Sequence, residues 1–188
     1  MNFNDDNIFF LADFDDTMEA SIVLPLTREI QKQRRLVDGR IDLYINSFGG
    51  YKHLVFQLIS LVEIAKREGI VVRTIVPDIA YSAGSILAIT GTPGERYIEK
   101  TGEHLIHYGS TGSMETTPEQ AARNFAQKQA SFKSILSHYK KYTDVPADEL
   151  DRLMNDDSAF IPAPKCIKWG LADKYMEKFD IGWNESRF

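Results

Sequence analysis

Apolar residues along this chain follow two distinct periods. Some gather in short runs with little alternation: Ile8-Phe9-Phe10-Leu11, Ile41 to Ile45, and the β-branched stretch Ile70-Val71-Val72-Arg73-Thr74-Ile75-Val76. Runs of this kind predict strands, and weak alternation predicts burial on both faces. Between them, apolar positions recur every three or four residues. Ile22, Leu26 and Ile30 mark one face of a helix that starts at the caps Asp15-Asp16-Thr17 and runs to about Arg34. Pro25 falls inside that pattern and predicts a kink or a division. Val55, Leu58, Ile59 and Val62 mark a second helix from about Lys52 to Arg67, which Gly69 ends. A buried helix from about Tyr81 to Ile89 and short strands at Arg96 to Ile98 and His104 to His107 follow. Strand and helix alternate with short spacers, which predicts an α/β fold with a mostly parallel sheet and crossover helices.

The second half changes character. Phe125, Phe132, Ile135, Leu136, Tyr139 and Tyr142 fall at helical spacings on a long amphipathic helix from Pro118 to about Tyr142. Asp144-Val145-Pro146 breaks it. Helices over Ala147 to Met154 and Pro162 to Trp169 follow; Gly170 ends the second, and Leu171 to Tyr175 reads as strand or turn. The long helix carries more apolar surface than a solvated arm needs, so it is expected to pack against another subunit. Neither a repeat nor a linker divides the chain, so residues 1–188 read as one domain.

Composition narrows the function classes. The chain has 188 residues, 43% of them hydrophobic, and a net charge of -5 without a basic stripe, which argues against nucleic-acid binding. The Lys32 to Arg35 cluster sits at a helix end, where cations are expected. Met1 to Asn7 lacks the pattern of a secretory signal, and the apolar runs are too short to span a membrane. A soluble, cytoplasmic protein is expected. Cys166 is the single cysteine, which rules out an internal disulfide; it reads as a small buried hydrophobe. His53 and His138 read as surface residues on helices, and the histidines lack the spacing of a metal site, so neither metal nor cofactor is expected. Gly49-Gly50 is neither a dinucleotide fingerprint nor a phosphate loop.

The candidate chemistry lies in three segments. Ile79-Ala80-Tyr81-Ser82-Ala83-Gly84-Ser85 places a serine among small residues at a helix start, where free backbone N–H groups could stabilise an oxyanion. A simple N-cap is the plainer alternative for Ser82. Asn46-Ser47-Phe48-Gly49-Gly50 follows a strand and precedes a helix, at the sheet end where open α/β folds place their sites. Leu105-Ile106-His107 ends in a histidine suited to a general base. His104 competes with it, and strand alternation sets the two on opposite faces without telling which face is catalytic.

With those motifs in order, the chain resembles the Clp protease proteolytic subunit family, self-compartmentalising serine peptidases of the crotonase-like superfamily. Leu43 to Gly50 resembles the family's oxyanion loop, with Phe48 where proline is usual. Ala80 to Ser85 resembles its nucleophile motif, Leu105 to His107 its base, and Phe160 to Asp173 its carboxy-terminal segment. The resemblance implies repeated β-β-α units and a protruding handle helix over about 112–142. It implies Ser82 as nucleophile, His107 as base, the N–H groups of Gly49 and Ala83 as oxyanion hole, and Tyr44 in a surface pocket that docks an ATPase. It further implies polypeptide substrates, heptameric rings stacked as a tetradecamer with Phe125 and Phe132 buried between rings, and an AAA+ unfoldase partner. The family's orienting aspartate falls at Ser158 here; Asp157 is the first candidate for its role, Asp156 the second, and a site without a carboxylate the third. The first strand begins within about ten residues, and the tail is short, so full axial pore loops are not expected. The alternatives are a weak or inactive ring subunit and a phage-type capsid maturation peptidase of the same fold. Acyl-CoA chemistry of the superfamily is disfavoured by the Ser-His arrangement.

Overall fold

Ile8–Leu11 (β1) and Arg40–Ile45 (β2) lie side by side and parallel, with Leu11 opposite Ile45. They open the main sheet of the computed structural model, which describes residues 7–109, 117–156 and 159–177. Val71–Val76 (β3) pairs with β2, so that Leu43 faces Thr74 and Tyr44 faces Ile75. Arg96–Ile98 (β5) and Lys174–Tyr175 (β8) complete a five-stranded parallel sheet in the order β1-β2-β3-β5-β8. Ile41, Leu43 and Ile45 are buried in the main core on one face. Tyr44, Ile75 and Tyr97 form a second, smaller cluster. Asp42 carries the polar part of that second side, accepting two hydrogen bonds from Arg73, its register partner. Two covered faces explain why β2 shows no alternation.

A second, three-stranded sheet was not evident from the sequence. Ile79–Tyr81 (β4) pairs parallel with Glu103–Leu105 (β6), and Phe160–Pro162 (β7) pairs antiparallel with β6. The helix expected from Tyr81 therefore begins at Ala83 and ends at Ala88 (α3). The helix expected from Pro162 is Ala163–Lys168 (α6), and the strand expected to reach His107 stops at Leu105. The last residues of β4 and β7, Tyr81 and Pro162, stand next to helices and read as the starts of those helices.

The first helix is divided near Pro25, as expected. Glu19–Val23 forms a π-helical turn, with Leu24 N–H donating to Glu19 C=O, and Leu24–Gln33 (α1) continues from it. Proline brings no N–H to the ladder, and the wider turn accommodates the change. Lys52–Arg67 (α2) buries Leu54, Val55, Leu58, Ile59, Val62 and Ala65, and Gly69 follows it at φ 79°. Pro118–Tyr142 (α4) is capped by Thr117, whose Oγ1 accepts from Gln120 N–H while Gln120 Oε1 accepts from Thr117 N–H. Its 25 residues span about 37 Å. Ile135 and Tyr139 are buried at its carboxyl end, whereas Phe125 is 63% exposed further out. His138 departs from its expected surface place: it is half-buried, within hydrogen-bond reach of Thr90 Oγ1 at 2.9 Å, and burial pulls its pKa down to about 4. Ala147–Met154 (α5) follows. Among the described residues no helix is long and apolar enough to cross a membrane.

Arg96 ties the carboxy-terminal part to the main sheet. Its guanidinium donates to both carboxylate oxygens of Asp173, at 2.9 and 2.6 Å, and to the carbonyl of Tyr142 at 2.8 Å. Asp173 also accepts from the N–H groups of Gly94 and Arg96. Burial opposes ionisation of Asp173, yet the hydrogen bonds and charge of Arg96 outweigh it and lower the pKa. Asp173→Asn leaves a buried cation without its counter-charge and is expected to cost about 2–4 kcal/mol in urea unfolding. The depressed pKa also sets a pH signature. The unfolded chain binds the proton more readily, so the contribution is complete above the ordinary aspartate pKa and is lost as pH falls through the folded value. Acid titration of stability should therefore be shallower in Asp173→Asn than in the parent.

Candidate active site

Ser82 stands at the joint between β4 and α3. Its N–H donates to Leu105 C=O at 2.9 Å, which continues the β4–β6 pairing through the turn. Its backbone sits at φ 52°, ψ −117°, the one positive φ outside glycine among the described residues. That conformation is costly for a side chain and persists only when neighbours enforce it. The Ser82 side chain makes no cap bond, so the N-cap alternative does not describe it.

The glycine loop is what presses on this turn. Ser47 N–H donates to Ile79 C=O and Tyr81 N–H donates to Ser47 C=O, which bridges the loop to β4. A Cβ on Gly49 would sit 2.7 Å from the Ser82 Cβ, and Gly49 adopts φ 111°. A side chain at that position would therefore collide with the serine. Gly84 does the same service for α3, where an added Cβ would meet the Ser47 side chain at 3.1 Å. Asp13, which the sequence did not single out, anchors the loop by accepting from Phe48 N–H at 2.8 Å. Its neighbour Asp15 closes a local turn, accepting from Thr17 N–H and hydroxyl, and the expected side-chain cap is not made: the helical segment starts after Met18 without one. Gly49 N–H donates to Ser47 Oγ at 3.0 Å.

Ser82 and His107 line one cleft of about 270 Å³, together with Gly50, Ala83, Tyr108 and Phe132. The rings of Tyr108 and Phe132 meet at 4.4 Å, so α4 forms one wall. His104 lies elsewhere. It is fully buried, within hydrogen-bond reach of Ser85 Oγ at 2.9 Å, and burial pulls its pKa down to about 3. The two histidines are thus separated by burial, a distinction that strand alternation could not make. Tyr108 N–H donates to Met154 C=O at 3.0 Å, which fixes the end of α5 beside the cleft. Asp157 and Ser158 lie outside the described residues. Asp156 is half-buried, with Arg152 at 3.7 Å. Cys166 is buried, with Sγ on the Ile161 carbonyl; burial pushes its thiol up to about 12, far from a nucleophile's range.

Tyr44 lines a different cavity, of about 410 Å³, with Phe10, Leu11, Asn46, Pro77 and Met176. Its ring stacks on Phe10 at 5.0 Å, and Phe10 is 65% exposed.

The family model described as Clp protease matches residues 2–179. The chain belongs to the Clp protease family. It is similar to the ATP-dependent Clp protease proteolytic subunit of Deinococcus radiodurans, 29% identical over 81% of this chain and 75% of the relative. The subunit of the same name from Streptococcus mutans is 28% identical, covering 93% of this chain and 86% of its own length. That from Porphyromonas gingivalis is 26% identical, over 92% and 75%. Membership makes the chain a peptidase-family protein of α/β fold.

The strain at Ser82 can be measured without reference to activity. Ser82→Gly removes the Cβ from a conformation that only glycine adopts freely, and relief of strain outweighs the added freedom of the unfolded chain. Urea unfolding should show a gain of about 1 kcal/mol for Ser82→Gly, and no such gain for Ser82→Ala.

Proposed function

We propose that this chain is a serine endopeptidase working inside a ring assembly. The observation that carries this reading is the uncapped Ser82 hydroxyl, held on a left-handed turn at the cleft that His107 also lines. A peptide carbonyl seated there is attacked by Ser82 Oγ while His107 takes its proton. Negative charge on the carbonyl oxygen is met by Ala83 N–H, which as the first N–H of α3 has no partner within the helix. The glycine loop supplies the second donor. Gly49 would have to release Ser47 Oγ to do so; Gly50, which lines the cleft, needs no such exchange. Collapse of the intermediate breaks the C–N bond as His107 gives its proton to the leaving amine. Water, deprotonated by His107, then cleaves the acyl-enzyme and returns the proton to Ser82. Asp157 is assigned the orienting carboxylate, supported by the Tyr108–Met154 hydrogen bond that runs the chain ahead of it beside His107.

Enclosure answers the hazard of an open Ser-His site, and the exposed outer half of α4, with Phe125 on it, offers a seam for two stacked rings of seven. An AAA+ unfoldase would dock at the Phe10–Tyr44 cavity. The occupied Gly49 N–H favours a second reading, a ring subunit of low turnover that assembles beside an active partner.

Fluorophosphonate labelling separates the two. The purified oligomer should label, and Ser82→Ala should abolish the label. Wild-type protein that stays unlabelled with every activator tried would remove the active-peptidase reading. Mass photometry should show particles of fourteen chains, and monomer alone would remove the ring.

A further inference from the structure

Directly behind the cleft lies a buried polar chain that the proposed reaction does not use. Tyr139 O–H donates to Ser85 Oγ at 2.9 Å, and Ser85 Oγ is 2.9 Å from His104 Nδ1. Ser85 and His104 are fully buried and Tyr139 is 1% exposed. These residues stand on three elements. Ser85 is on α3, one turn from Ser82; His104 is on β6, which ends two residues before His107; Tyr139 is on α4. Polar groups buried this deeply are costly unless satisfied, and an apolar trio would fill the space at less cost. Their hydrogen bonds are directional, so what they add is a fixed relative placement of the elements.

We propose that Ser85, His104 and Tyr139 are positioning residues that hold the helix bearing Ser82 in register with the strand leading to His107. Tyr139 gives its proton to Ser85. Ser85's own proton is assigned to His104 Nδ1, which puts the proton of the neutral ring on Nε2. No described residue accepts from Nε2, which is the cost of the arrangement. This proposal rests on the peptidase reading, and it predicts effects on rate rather than on substrate binding.

Two measurements on the purified oligomer test it. Ser85→Ala and Tyr139→Phe each remove a hydroxyl with little change of volume. Each should slow acylation by a fluorophosphonate at saturation about tenfold with the half-saturating probe concentration unchanged, and the double variant should be no slower than the singles. Unchanged acylation in both single variants overturns the proposal, whatever happens to thermal stability. The second measurement needs no activity. Nitrogen NMR of the His104 ring should show the Nε2-protonated form in the parent and a shifted Nδ1 resonance in Ser85→Ala, together with faster amide exchange at Ser82. A ring protonated on Nδ1, or exchange at Ser82 that does not change, overturns the proposal. If the parent never labels while the NMR and exchange results hold, the peptidase reading fails and the positioning set stands.

Discussion

The close approach of Gly49 to Ser82 is the constraint on which the rest of the site depends. Ser82 can hold a backbone conformation that a side chain resists only because it is gripped on both sides. On one side its N–H is fixed to Leu105; on the other the loop at Gly49 leaves no space for any Cβ. The grip is assembled from segments far apart in the chain. The loop is tied to β4 through Ser47 and to the first strand's exit through Asp13. Two sheets are therefore needed where one would give a core. The five-stranded sheet delivers the loop, and the three-stranded sheet delivers the serine turn and the strand that precedes the histidine.

Legibility in the sequence was highest for long elements and for short ones set apart by turns, such as Arg96–Ile98. The helices Lys52–Arg67 and Pro118–Tyr142 stand where their periods place them, because several turns of apolar spacing leave little freedom. The strands β4 and β7 escaped notice because each runs almost directly into a helix, so that Tyr81 and Pro162 read as helix starts, and their existence is decided by pairing across the chain. His138 misled for a related reason. Its neighbours Ser137, Lys140 and Lys141 are polar, as on a solvated face, yet it lies where α4 settles on α3 and packs its ring on Tyr142. Strand parity could not choose between His104 and His107, since both faces of β6 are covered until the strand ends. Asp13 was hidden beside Asp15 and Asp16, which drew attention as caps that the helix does not use, while its own partner lies across the sheet at Phe48.

The long helix shows why its buried end carries polar anchors as well as an apolar stripe. Ile135 and Tyr139 bury apolar surface there, and such contacts are non-directional. They would tolerate a small rotation or slide of α4. The polar bonds at the same end do not. Tyr142 O–H donates to Glu63 on α2, its carbonyl accepts from Arg96, and His138 meets Thr90 at the end of α3. Each bond fixes a different direction, so together they set both the rotation and the height of the helix. A force applied to the exposed half near Phe125 therefore meets a base that cannot slip by a fraction of a turn. Because that base also supplies Phe132 to the cleft and Tyr139 to the chain behind it, a change in its seating would reach both sides of Ser82.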